Sequence, residues 1–426
     1  MGLLEAQASH MSSRPFIDCV MEALIQGDVE RLNELSLRAP PEAARLRGVV
    51  CTDDPGGIDL DLGRGTQVNE LVASFYAGPR AFFFTGQTAL HGCLPGGSSE
   101  VLLDHSLGFD SNFGEAIRVL SAGRELEPTK LSRVLGLLRL KASNPRVQFD
   151  LVPFLMENVR FARENEKNLR PLDTAVAFRF LDRIDLKRAV DDPCEFDLRR
   201  QDSRIVAEVK DRERAVIDSL FASEGVRHQE ATAVAIQAIL LRLARVIQAK
   251  DSDPERVLSE VCAYCLNEFG FFPLTELSLI WAGLPKINEG GFFSPLRNGA
   301  AKVVKTAASM AWDMAHLRLL EKAATMSERG SFFLPSFVSD DARWRELLKL
   351  NPVSRMLMLP EGTAGGRVLF GRTGEVEFQT VLNRLLGSTM ASSFAPDRVS
   401  ARREFARAMP MEVVSKLLSK ESSHFA

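Results

Sequence analysis

The chain has 426 residues, of which 45% are hydrophobic and 26% charged, and its formal net charge is -3. That length allows two to three domains or one large core, and the composition is that of a globular protein rather than a disordered one. The charge argues against a generally basic nucleic-acid binder but leaves room for a local basic patch. Six cysteines, Cys19, Cys51, Cys93, Cys194, Cys262 and Cys265, are too sparse for a disulfide scaffold, so a reducing, cytoplasmic setting is expected.

The opening MGLLEAQASH lacks the basic start and apolar core of a secretory leader, and ASHM reads as a cloning junction. Residues 1–10 are then a scar and Met11 the expected natural start. A helical region is expected over 14–75, with Phe16, Ile17, Val20, Met21 and Leu24 at helical spacing and Asp28 capping a second helix. Residues 51–66, rich in Gly and Asp, read as a loop. The runs RAFFFTG and EVLLDHSLGFD have strand character, and a helix is expected to start after Asp110 and end before Gly123. Together they make a first α/β portion, 81–126.

From 127 to 300 helical periodicity dominates, as in LSRVLGLLRLKA and LVPFLMENVRFARENEKN, and a helical insert or layer is expected. Its most apolar stretch, 231–248, carries Arg242 and Arg245, which are costly at bilayer depth; a buried helix is expected there, and no membrane association. Cys262 and Cys265 form a lone CxxC, which cannot complete a tetrahedral zinc site and reads as two cysteines on one helix face. The α/β pattern returns over 301–390 with the helix KVVKTAASMAWDMAHLRLLEKAA, the apolar run SFFLPSFVSDD and the helix ARWRELLKL. GTAGGR and GRTGE lack the lysine and hydroxyl residue of a phosphate loop and read as turns. A helical tail, 391–426, closes the chain.

The chemistry-bearing residues are carboxylates in unusual settings. Asp110 follows an apolar run and precedes Ser111 and Asn112; it can cap a helix or face a cation, with Asp104 a competitor in the same run. Glu157 interrupts the apolar stretch LVPFLMENV, where it can edge a solvated face or point toward Asp110. Asp313 lies close to an apolar helical face, so it needs a basic partner, a metal or a proton; His316 is a turn away. Asp340 and Asp341 follow Ser339 just before a helix, so one can cap while the other faces a cation.

The arrangement resembles the PIN-like metal-dependent nucleases. The Asp110-Ser111-Asn112 string looks like that family's DxN, Glu157 like its helical Glu, Asp313 like its Asp before the last core strand, and Ser339-Asp340-Asp341 like its TxD, favouring Asp341. Glu195, Glu208, Glu224, Glu268 and Glu276 remain alternatives to Glu157. The resemblance implies a three-layer α/β/α core with a mostly parallel sheet, plus the large helical region. It also implies phosphodiester hydrolysis with Mg²⁺ or Mn²⁺ on Asp110, Asp313 and Asp341 and catalysis by these with Glu157, oriented by Asn112, Ser339, Asp340 and His316. The expected substrate is RNA, single-stranded or structured, met by Arg179, Arg183, Lys187, Arg188, Arg199 and Arg200. The competing reading of those cations is a solvated face, since Asp182, Asp185, Asp191 and Asp192 interleave with them. Two other functions compete with the nuclease: an inactive module that binds a protein partner through its helices, and a phosphatase-type hydrolase of a small phosphorylated substrate.

Overall fold

The structure, a computed structural model, describes 47–85, 101–358, 368–390 and 396–425, apart from 61, 63–67, 69, 166, 250–252, 298 and 327–329. It also describes 19, 22–23, 28, 30–31 and 34–35. The expected cloning junction, Phe16, Ile17, Val20, Met21, Leu24, Cys93 and the GTAGGR segment lie outside the described residues.

Two sheets are built from nine strands among the described residues. The first contains β1 (Arg47–Thr52), β2 (Ile58–Asp59), β4 (Arg80–Thr85), β8 (Val353–Met358) and β9 (Val368–Arg372), in the order β2-β4-β1-β8-β9. Every neighbouring pair in it is antiparallel. The second contains β3 (Val72–Ser74), β5 (Leu103–Phe109), β6 (Val147–Asp150) and β7 (Phe332–Val338), in the order β3-β7-β5-β6. Here β5 runs parallel to both β6 and β7, while β3 is antiparallel to β7.

The expected three-layer core with a mostly parallel sheet is therefore incorrect. Five of the seven strand pairs are antiparallel. The fold is a mixed α/β one with a large helical region. The strands that overturn the expectation are short. RGVVCT and VSRMLM carry too few residues to show a period of their own, yet Val49 pairs with Phe83 on one side and Met356 on the other. Part of the expected loop at 51–66 is the end of β1 and all of β2, and β6 interrupts the expected helical stretch.

Helices make up most of the remaining described chain. α1 (Ser111–Ser121), α2 (Pro128–Ser143), α3 (Val152–Glu164), α4 (Arg170–Leu181) and α5 (Leu186–Asp191) follow β5 and β6. α6 (Ser203–Ala222), α7 (Glu224–Gln248), α8 (Pro254–Tyr264), α9 (Leu274–Gly283) and α10 (Ala300–Ala324) follow. α11 (Ala342–Leu350) joins β7 to β8; α12 (Glu375–Met390), α13 (Pro396–Ala408) and α14 (Met411–Ser422) end the described chain. α7 and α10 are 25 residues each and pack together, with α14 laid against α7. Buried small residues on both, Ala231, Ala235 and Ala238 against Ala307, Ala311 and Ala315, let helices approach closely. Arg242 and Arg245 leave the apolar face of α7 to meet Glu260 and Glu421, each at 3.5 Å. Among the described residues no helix is long and apolar enough to cross a membrane.

Two features of this framework position the carboxylates. β5 and β7 are parallel neighbours, so Phe109 pairs with Val338 and both strands end at one edge, where α1 and α11 begin. α3 crosses α1 at Gly114: a Cβ there would lie 2.6 Å from the Phe154 ring, so only glycine permits this approach.

Candidate active site: carboxylates at two strand ends

Asp110 leaves β5 in an extended conformation, φ -76° and ψ 172°, as the N-cap of α1. One carboxylate oxygen accepts the Phe113 amide at 2.9 Å, and the other accepts the Ser339 hydroxyl at 2.7 Å. Ser339, 1% exposed, in turn accepts the Asp341 amide at 3.0 Å. One hydroxyl thus ties the two strand ends together. Asp341 caps α11 through the Arg343 amide at 2.8 Å, and its second oxygen lies 3.4 Å from the Arg343 guanidinium.

Glu157 reaches the same place from α3. Its Oε2 accepts the Ser111 hydroxyl at 2.9 Å, and Asn158 Nδ2 donates to Ser111 Oγ, also at 2.9 Å. Asp313 comes from α10, and none of the described residues donates a hydrogen bond to it. Next to it, the Arg160 guanidinium of α3 sits over the Trp312 ring at 4.9 Å and joins the two helices. His316 is buried under the cluster between Trp312 and Phe337, with Nε2 3.9 Å from Glu157 Oε2. Phe337 stacks on Trp344 at 4.0 Å, which gives the site an aromatic floor.

These groups act on one another electrically. Burial pushes the Asp110 carboxyl up to about 6; the charges of Asp340 and Glu157 add to the rise, and the Phe113 amide and Ser339 hydroxyl oppose it. Asp313 is raised well above the usual carboxylate range, first by burial and then by Glu157, Asp341 and Asp110, with Arg343 opposing. Burial lowers His316, so it is neutral at pH 7, though Glu157 and the Pro153 carbonyl work the other way. Asp110, Glu157, Asp313 and Asp341 therefore share one field.

Among the described residues, no group of three or more His, Cys, Asp and Glu side chains stands as a ready metal-holding set. The donor chemistry nevertheless suits a hard cation. Four carboxylates lie within electrostatic reach of one another, and two of them are held above their ordinary pKa by burial and repulsion, which a divalent ion would relieve. Asp110 and Asp341 are engaged as helix caps, so taking up an ion would compete with those bonds.

The remaining residues singled out in the sequence are placed as follows. Asp340 pairs with Arg133 of α2 at 2.9 Å and its charge acts on Asp110, whereas that of Asp341 acts on Asp313. Asn112 is exposed and makes no hydrogen bond to the four carboxylates among the described residues; Asn158 stands beside Ser111 instead. Asp104 accepts the Gly330 amide at 2.7 Å, near the start of β7 rather than its end. Five of the six expected nucleic-acid contacts are paired with carboxylates. Arg179 meets Glu213 at 2.9 Å, Arg183 meets Glu208 at 3.5 Å, and Arg188 meets Glu195 at 2.7 Å. Arg199 and Arg200 lie 2.8 and 3.7 Å from Asp197, and Lys187 has no carboxylate partner among the described residues. Cys262 and Cys265 are buried; burial pushes the first thiol up to about 12 and the second well above its usual range, so both are packing groups.

Sequence reasoning gave Ser111 no role in the site and passed over Asn158, which together fix Glu157, and Arg343, whose charge reaches Asp313. Ser111 was legible inside the string Asp110-Ser111-Asn112, where the hydroxyl and not the amide turned out to bond the cluster. The chain matches no protein-family model, no curated protein and no solved structure.

Proposed function

We propose that the chain is a metal-dependent phosphodiester hydrolase acting on RNA, with Asp110, Asp313 and Asp341 holding Mg²⁺ or Mn²⁺ beside Glu157. The observation that supports this reading is the shared field of the four carboxylates, drawn from two strand ends and two helices far apart in the sequence. Proteins rarely gather like charges where burial strengthens their repulsion without a use for them. The ion would activate water for attack on phosphorus and offset charge building on the phosphate oxygens.

The chain's own groups have separate duties. Ser339 and the Phe113 amide hold Asp110, and Ser111 with Asn158 holds Glu157. Arg343, half-exposed at the rim, is available to a substrate phosphate.

Calorimetric titration with Mn²⁺ and Mg²⁺ tests the ion, with Mn²⁺ expected to bind more tightly. Asp313→Asn should abolish the heat. Equal heats in wild type and variant would remove Asp313 from the site. The purified protein should cut single-stranded RNA with Mn²⁺ and stop with EDTA, and Asp110→Asn or Asp341→Asn should each slow cutting by about a hundredfold or more. The engagement of Asp110 and Asp341 as caps favours the alternative of a non-catalytic module. Metal binding without cleavage of RNA or DNA would turn the conclusion to it.

A further inference from the structure

A cavity of about 1030 Å³ opens between α7, the C-terminal half of α10 and the turn joining α13 to α14. Its floor is apolar: Ile236 and Ile239 of α7 are buried there, with Phe271 beside them. Its rim carries three cations and one carboxylate, Glu224 at the start of α7. Arg227 comes from α7, Lys322 from α10 and Arg407 from α13, and none of the three has a carboxylate partner among the described residues. Among the described residues the Arg227 guanidinium donates to the Ala222 carbonyl, at 3.3 Å.

Arg318, deeper in the same cavity, is matched by Glu276 at 2.6 Å and Glu321 at 2.8 Å, and five of the six basic residues of the 179–200 segment are paired as well. Burial and the charge of Lys322 lower His228, which lines the same cavity. Met409, with φ 37° in the left-handed region, turns the chain from α13 into α14. Pro410 precedes α14 and its carbonyl accepts the Val413 and Val414 amides at 3.0 and 3.2 Å, while Met411 after it lines the cavity.

We infer that this cavity binds a small organic phosphate, with its apolar body on the Ile236–Ile239–Phe271 floor and its phosphate among Arg227, Lys322 and Arg407. Three cations from three helices suit a dianion better than a single carboxylate. The volume and apolar floor are those of a small-molecule site rather than a polymer track. The ligand would bridge α7, α10 and the α13–α14 turn. The inference stands independently of the carboxylate cluster.

The test is calorimetry and thermal unfolding of the full chain at physiological salt with three probes: ADP, dodecyl phosphate and inorganic pyrophosphate. ADP stands for a nucleotide body and dodecyl phosphate for a lipid-like one. One of these two should bind at least about tenfold more tightly than pyrophosphate and raise Tm. Lys322→Gln and Arg407→Gln should each weaken that binding by about fivefold to tenfold while keeping the Mn²⁺ response of the wild type. Asp313→Asn should leave it unchanged, which separates a failure here from a failure of the hydrolase reading. The inference is overturned if neither organic phosphate binds at millimolar concentration, if pyrophosphate binds equally well, or if the two glutamine variants bind like the wild type.

Discussion

Asp313 and Asp110 carry the energetic tension of the site. Both carboxyls are raised in the folded protein, so the fold binds more protons than the unfolded chain between pH 4 and the folded pKa. Their contribution to stability is full below the unfolded pKa and is lost as pH rises, through about 6 for Asp110. For Asp110 alone the loss is about 2–3 kcal/mol by pH 8. The metal-free protein should therefore be easier to unfold with urea at pH 8 than at pH 5. Asp313→Asn should flatten that dependence and raise stability at pH 8, and a variant with the wild-type pH profile would show that Asp313 is not held above its ordinary range. Ser339→Ala removes the donor to Asp110 and the acceptor of the Asp341 amide. It should cost about 1–3 kcal/mol in urea unfolding, because two polar groups lose a partner in a nearly closed place. A loss below measurement error would mean that water replaces the hydroxyl.

At the scale of elements, the site depends on α3 lying against α1. Gly114 allows Phe154 to come close, and Phe154 is three residues from Glu157, on the same stretch of helix. Gly114→Ala would put a methyl 2.6 Å from that ring. The expected cost is about 1–3 kcal/mol from overpacking, with weaker Mn²⁺ binding as Glu157 moves off Ser111. Combining it with Phe154→Leu should cost less than the sum of the two changes, since the shorter side chain vacates the contested space. Additive losses in a double-mutant cycle would show that the two residues do not compete. α11 depends on a second contact, the stack of Trp344 on Phe337, which anchors it beside β7 just after Asp341.

For the whole molecule, the long helices connect the parts. α10 carries Asp313 to the carboxylates near its middle and Lys322 to the cavity rim near its end. α7 lies along it, and α14 closes over α7 with Val414 fully buried. Val414→Asp should therefore destabilise the protein by about 3 kcal/mol or more, because a charge would enter that interface without a partner. Organic-phosphate binding should fall with it as α14 loosens from the cavity. Thermal unfolding and calorimetry on the same sample check both effects, and a variant as stable as the wild type would place Val414 outside the core.

What the sequence determined by itself was local. The apolar runs ending at Asp110 and Ser339 are β5 and β7, and the carboxylates after them cap α1 and α11. Helical periodicity placed α1, α3, α10 and α11 because a helix closes its bonds within four residues. Short strands offered no such signal, and their direction depends on partners far away: Arg47 lies opposite Thr85 and Met358, and Ser74 opposite Ser336. That is why the expected parallel sheet gave way to mostly antiparallel pairs. Only the tertiary structure decided that Glu157, and not another of the candidate glutamates, meets Ser111, that Asn158 stands where Asn112 was expected, and that five of six expected nucleic-acid contacts face carboxylates. The physical reason is the same in each case. Caps and periodicity act through neighbours in the chain, whereas the partner of a side chain is set by the packing of helices and strands brought together from across the sequence.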